Sequence, residues 1–205
     1  MTAARWRDDA QAIAEWLRPH TGAQAVVAFQ GERGAYGHLA IERLWGARAS
    51  AMPLRSFADV IGAVRLGTAG YALLPVHNEI IGEIAGVRSA IARAGLDMLG
   101  EVQQPVRHCL LGVPGARLEA VTGVFSHPAA LAQCRDFLGR HRGMVACESY
   151  DTAGAAREVA ARGLRHEAAI ASDACVARYG LQLLARDIGD RDDNVTTFAV
   201  VRGVR

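Results

Sequence analysis

The chain alternates short apolar, β-rich runs with segments of helical periodicity almost from end to end, and few architectures accept that pattern. Strands are expected at Ala25 to Phe29, Tyr71 to Val76, Val121 to Phe125, Met144 to Cys147, Ala168 to Ala171 and Val195 to Val201. Between them lie Leu39, Ala40 and Leu44; Phe57, Val60, Ile61 and Val64 behind a Ser56 cap; and Ile84, Val87, Ile91 and Ala94. The second half continues with Leu131, Cys134 and Leu138 behind Ser126-His127-Pro128, and Ala156 and Val159 behind Asp151-Thr152. A last helix opens at Ser172-Asp173 and closes at Tyr179-Gly180-Leu181. Strand, turn and helix in repetition predict an α/β fold. A chain of 205 residues, 51% apolar, suits one such domain or two small lobes. Trp6, Ala10, Ile13 and Leu17 put an amphipathic helix first, over residues 1–21, suited to packing on the body or on a second subunit.

Charge removes whole classes of partner. Twenty-three basic residues against 21 acidic ones leave a formal charge of +2, with no basic tract or aromatic-basic face to suit nucleic acid. No apolar run reaches membrane-spanning length, and the N-terminus has no signal-like apolar core. Cys109, Cys134, Cys147 and Cys175 are widely spaced, outside any zinc-ligand pattern, so buried thiols in a reducing, cytoplasmic compartment are expected.

Three polar segments fall at strand ends. The first strand runs into Gly31-Glu32-Arg33-Gly34-Ala35-Tyr36-Gly37-His38, a glycine-rich turn whose backbone N–H groups and helix dipole suit a carboxylate or phosphate. Its spacing is neither GxGxxG nor a P-loop. The second places His77-Asn78-Glu79 at the C-terminal end of a buried strand, where open α/β sheets bind ligands. In the third, Asp193-Asn194 turns into Val195-Thr196-Thr197-Phe198, whose adjacent hydroxyls are expected on opposite faces of a strand. His108, flanked by apolar residues, reads as a hydrogen-bonded structural histidine.

These segments, in this order, resemble the catalytic domain of the prephenate dehydratase family from about Val26 to Val201. The family's G-P-x-G-T-F/Y-S corresponds to Gly31 through Gly37, and its P-I-E-N-S/T-x-x-G to Pro75 through Gly82. H-C-L-L is His108 to Leu111, and S-H-P-x-x-L-x-Q-C is complete from Ser126 to Cys134. A-A-I-A-S and Y-G-L lie between Ala168 and Leu181, and N-x-T-R-F is Asn194 to Phe198.

The resemblance implies a two-lobed, type II periplasmic-binding-protein-like α/β fold with a ligand cleft between the lobes. Lobe 1 would be residues 22–104 plus 190–205 and lobe 2 residues 105–189. It implies a homodimer acting on a small dicarboxylate, prephenate or an analogue, as a carbon–oxygen lyase that forms phenylpyruvate in phenylalanine biosynthesis without metal or organic cofactor. Thr196 would donate the proton to the departing hydroxyl. Substrate would be held by Asn78, His77 and Glu79, by Gly31, Gly34, Ala35 and Tyr36 of the turn, and by Thr197 and Phe198. The family's C-terminal ACT domain is not expected in a chain ending at Arg205.

Departures from the motifs are specific. Ala35 and Gly37 replace two hydroxyl residues, His77 and Glu79 replace the residues around Asn78, and Thr197 stands where the motif has Arg. A carboxylate at Glu79 that faced a dianion would repel it, and a protonated His77 would offset that. Two alternatives remain beside the dehydratase. One is a non-aromatising prephenate decarboxylase-type or altered-substrate enzyme of secondary metabolism; the other is a non-catalytic small-molecule-binding homologue.

Overall fold

The computed structural model describes residues 25–203, so the expected helix over residues 1–21 lies outside the described residues. The α/β expectation is met, with two sheets. The chain divides into two compact units: one contains Tyr36–Pro105 together with the residues up to Gly31 and from Val195, and the other contains Glu32–Ala35 and Val106–Asn194.

In the first unit β1 (Ala25–Gln30), α1 (Tyr36–Trp45), β2 (Ala49–Leu54), α2 (Phe57–Arg65) and β3 (Tyr71–Asn78) follow in order. Next come β4 (Gly82–Glu83), α3 (Val87–Arg93), β5 (Leu96–Pro105) and, from the far end of the chain, β11 (Val195–Gly203). The sheet order is β2-β1-β3-β11-β5, with β4 on the end of β3. Strand β1 is parallel to β2 and β3, whereas β11 is antiparallel to both β3 and β5. Leu74, Val76, Ala199 and Val201 leave one face to meet Val60 and Val64 of α2 and Val87 and Ile91 of α3. On the other face α1 starts against the sheet, where a Cβ at Gly37 would sit 3.5 Å from the rings of both Phe29 and Phe198.

Local chemistry sets most of these boundaries. The Ser56 hydroxyl accepts from the Asp59 N–H at 3.1 Å while the Asp59 carboxylate accepts from the Ser56 N–H at 3.2 Å, a reciprocal cap that starts α2. The helix expected from Ile84 begins three residues later, at Val87. Gly82–Glu83 is taken up in pairing with His77 and Asn78, the Ile84 N–H donates to Val76 O, and Gly86 turns through φ +77°.

The second unit holds β6 (Cys109–Gly112), β7 (Gly123–Ser126), α4 (Pro128–Ala132), α5 (Arg135–Arg140) and β8 (Val145–Glu148). It continues with α6 (Thr152–Arg162), β9 (Glu167–Ala171), α7 (Ala174–Tyr179) and β10 (Gln182–Ala185). Its sheet order is β10-β6-β9-β7-β8, around a core that includes Leu110, Val124, Leu131, Phe137 and Ile170. The single helix expected through Leu131, Cys134 and Leu138 is two. Cys134 leaves helical geometry, and the Asp190 carboxylate accepts from the N–H groups of Arg135 and Asp136, both at 3.0 Å, to start α5 afresh. Leu183 to Ile188 stay in this unit: β10 pairs with β6, and the unit runs on to Asn194.

Candidate active site

Antiparallel pairing of β11 with β3 sets Thr196 opposite Asn78 and Thr197 opposite His77. The register then slips, Phe198 facing Pro75, so Val76 is one residue extra on β3. Such a bulge re-aims side chains at a strand end. Its outcome here is that Asn78 and Thr196 share one face of the sheet while His77 and Thr197 share the other, as expected for adjacent threonines.

Asn78 is 4% exposed and committed at both ends of its amide. Its Nδ2 donates to Thr196 Oγ1 at 2.9 Å and to Val195 O at 3.2 Å. Its Oδ1 accepts from the N–H groups of Ile80 at 3.0 Å and Ile81 at 3.1 Å, which holds the turn after β3 in shape. Asn78 therefore positions Thr196. A threonine hydroxyl that accepts from an amide keeps its own O–H for another acceptor, and the donated bond polarises it in the direction of proton release.

Gln104, which sequence reasoning did not single out, lies opposite Thr196 on the other flank, in β5. Its Nε2 donates to Pro105 O, and its Oε1 is buried without a hydrogen-bond partner among the described residues. An orphaned buried acceptor costs about 1–3 kcal/mol, and its place beside Thr196 in the ladder makes this one a candidate for a role at the site. Only its place beside Thr196 in the ladder reveals it; in the sequence it is one glutamine of a pair. Phe198, 6% exposed, follows on the Thr196 face against Gly37.

His77 and Glu79 are about half exposed, and His77 Nε2 lies 3.8 Å from Glu79 Oε1, so the acquired carboxylate has a histidine beside it. Thr197 is 9% exposed and faces away from Thr196.

The glycine-rich turn is divided between the units. Gly31 turns through φ +113° and its N–H donates to Leu54 O in the first unit. Residues Glu32–Ala35 belong to the second because that unit holds them at every step. The Glu32 N–H donates to Asp151 Oδ2 at 3.1 Å, and the Gly34 carbonyl accepts from the Ser172 hydroxyl at 2.6 Å. The Arg33 carbonyl accepts from the Tyr179 hydroxyl, and the Ala35 N–H closes back on Glu32 O. The anion that the turn was expected to attract is in part internal. Asp151 Oδ2 also accepts from the Gly154 N–H, capping α6, and burial pushes its carboxyl above the usual range against the pull of those bonds. With the N–H groups of Gly31, Glu32 and Ala35 so engaged, the turn offers less of a cradle than its glycines suggested. Gly34 is required by its surroundings: at φ +99°, a Cβ there would sit 2.8 Å from Cys175 Sγ. Tyr36 is half-buried at the start of α1.

Around this turn the Tyr150 hydroxyl donates to Glu32 Oε1 at 2.9 Å, and Arg157 contacts the same oxygen at 3.1 Å. Burial, the bond to Glu32 and the charge of Glu32 push the Tyr150 phenol up to about 12. Such a phenol stays protonated at neutral pH.

A second buried network joins three of the motif segments. Gln133 Oε1 lies 2.9 Å from His108 Nε2 and accepts from Asn194 Nδ2 at 3.0 Å. An amide oxygen only accepts, so His108 carries its proton on Nε2. Burial holds His108 below the ordinary histidine range, against the bond to Gln133, so the ring is neutral and structural, as expected. With the Val106 N–H on Asn194 O, this network anchors the residues just before β11. Cys109, Cys134 and Cys175 are buried and Cys147 is partly exposed; all four are free thiols. Among the described residues no cluster of three His, Cys, Asp or Glu is placed to hold a metal ion, and no helix is long and apolar enough to cross a membrane.

The family model for prephenate dehydratase matches residues 27–204. Among curated relatives, arogenate dehydratase 1 of Petunia hybrida is 43% identical over 184 residues, 89% of this chain and 43% of that protein. A bifunctional N-acyl-homoserine lactone acylase/prephenate dehydratase of Komagataeibacter europaeus is 35% identical over 180 residues, 86% of this chain and 62% of that one. The chain thus spans less than half the length of the petunia protein and under two thirds of the bacterial one. Among solved structures, a prephenate dehydratase from Arthrobacter aurescens in complex with L-Phe superposes with a TM-score of 0.80 at 29% identity, covering 88% of this chain and 61% of that one.

Proposed function

The chain belongs to the prephenate dehydratase family, and from that premise we propose that it catalyses decarboxylative dehydration of prephenate, or of its amino counterpart arogenate, with Thr196 as the proton donor. The observation that carries this reading is the 2.9 Å bond from Asn78 Nδ2 to Thr196 Oγ1, which orients the hydroxyl and leaves its proton available.

The chemistry asks little else of the protein. In prephenate the bond from the ring to the 4-hydroxyl and the bond from the ring to its carboxylate break together. The carboxylate leaves as CO2, its bonding pair enters the ring, and the ring becomes aromatic. The departing hydroxyl takes the proton of Thr196 and leaves as water, and the threonine oxygen regains a proton from solvent. Phenylpyruvate is the product from prephenate, and phenylalanine from arogenate. The chain's contribution is orientation and one hydrogen bond to the leaving oxygen. Phe198 offers the ring an apolar neighbour on the Thr196 face. Loss of the 4-hydroxyl as water by elimination, without hydrolysis, makes the activity that of a carbon–oxygen lyase. The reading extends to a homodimer in a reducing, cytoplasmic setting; the four free thiols support the second part.

The test is product analysis with each substrate. Phenylpyruvate from prephenate or phenylalanine from arogenate is expected, and Thr196→Ala should lower kcat by about a hundredfold or more with the circular dichroism spectrum unchanged, a loss of about 2.7 kcal/mol in transition-state stabilisation. A non-aromatic decarboxylated product, or an unaltered kcat in Thr196→Ala, would overturn the assignment.

A further inference from the structure

On the face of the first sheet opposite Thr196 there is a cavity of about 380 Å3. Its floor is buried: Val76 at 0% and Thr197 at 9% exposure. Above them Glu83, His77, Thr197 and Gln103 stand in one lateral row, each the ladder partner of the next across β4, β3, β11 and β5. Arg88 of α3 and Glu101 of β5 close one side, paired at 2.7 Å.

Two features mark this cavity as made for a ligand. Thr197 is nine-tenths buried, and its hydroxyl lines the cavity without a hydrogen-bond partner among the described residues. An incoming N–H donor would give this open hydroxyl the partner it lacks. The charges also fail to cancel. Arg88 neutralises Glu101, while Glu83 has no ion pair among the described residues; the remaining titratable group on the lining, His77, lies against Glu79 at 3.8 Å. One carboxylate is in excess, so the cavity repels the dianionic substrate of the opposite face and attracts a cation. Its volume lies in the range of about 300–1,000 Å3 common to small-molecule sites.

We propose that this cavity is a second binding site, for a small organic cation that ends in a guanidinium or primary ammonium group. The cation's N–H groups donate to the Glu83 carboxylate at the rim and to Thr197 Oγ1 on the floor. A guanidinium suits the pair best, since its planar fork presents parallel donors to a carboxylate. Position 197 is Arg in the N-x-T-R-F pattern that the chain otherwise follows, and a guanidinium placed there would rise from the floor of this cavity. The site is independent of the dehydratase reading because neither its lining nor its ligand takes part in that reaction.

Methylguanidinium is the probe, titrated into the intact protein by calorimetry, with tetramethylammonium, which has no N–H, as control. Saturable binding in the millimolar range is expected for methylguanidinium alone. It should weaken at least about tenfold in Glu83→Gln, as a charge-assisted pair becomes a neutral one, and disappear in Thr197→Arg, whose own side chain fills the cavity. Glu83 is exposed, so Glu83→Gln carries the test should Thr197→Arg not fold. Absence of saturable binding, equal binding of the two cations, or unchanged binding in Glu83→Gln would each overturn the proposal.

Discussion

Asn78 and Thr196, 118 residues apart, are joined by a 2.9 Å bond in which the amide donates and the hydroxyl accepts. That polarity decides what the threonine can do. Had the hydroxyl donated to Asn78, its proton would be spent within the protein; as an accepting group it keeps that proton for a substrate.

Asn78→Asp should separate the two tasks of this side chain. The carboxylate still accepts from the Ile80 and Ile81 N–H groups but no longer donates to Val195 O and Thr196 Oγ1. Stability to urea should drop by about 1–3 kcal/mol. The Thr196 proton then turns to the new carboxylate, and kcat should fall about tenfold or more. An unchanged kcat in the folded variant would mean that Thr196 does not need this partner.

Gln104→Leu should move stability and activity in opposite directions. Removing an unpaired buried carbonyl oxygen relieves a desolvation cost, so urea stability should rise by about 1 kcal/mol. If the orphaned Oε1 serves the leaving water or the Thr196 hydroxyl opposite it, kcat falls at the same time. A more stable variant of full activity would reduce Gln104 to a packing defect.

His108 should make the protein sensitive to mild acid. Burial lowers its pKa below the unfolded value of about 6.5, so above that pH neither state carries the proton. As pH falls through about 6.5 the unfolded chain binds a proton that the folded chain resists, and stability is lost towards the folded pKa. His108→Gln keeps a donor for Gln133 Oε1 and removes the titration, so its urea midpoint should change less across that window. Parallel pH profiles for the two proteins would show that the acid sensitivity arises elsewhere.

Much of the molecule is written in neighbouring residues. The alternation of strands and helices, the Ser56 cap, the Asp151 start of α6 and the Gly180 stop after α7 depend on side chains within a few positions of the backbone groups that they satisfy. The ordered motifs from Gly31 to Phe198 likewise carry the family in the sequence alone, as does the opposition of Thr196 and Thr197, which follows from strand geometry. What tertiary structure decided is which polar groups meet. Glu32 and Gly34 looked like part of a ligand cradle until Asp151 and Ser172, more than a hundred residues away, were found on their backbone. The bulge at Val76, the orphaned oxygen of Gln104, the Gln133 link between His108 and Asn194, and the cavity over Thr197 depend on strand register between distant segments. Local propensity acts over a turn or two of chain, whereas register is set by how whole sheets bury their apolar faces, and so the partners of a side chain are known only when the sheet is assembled.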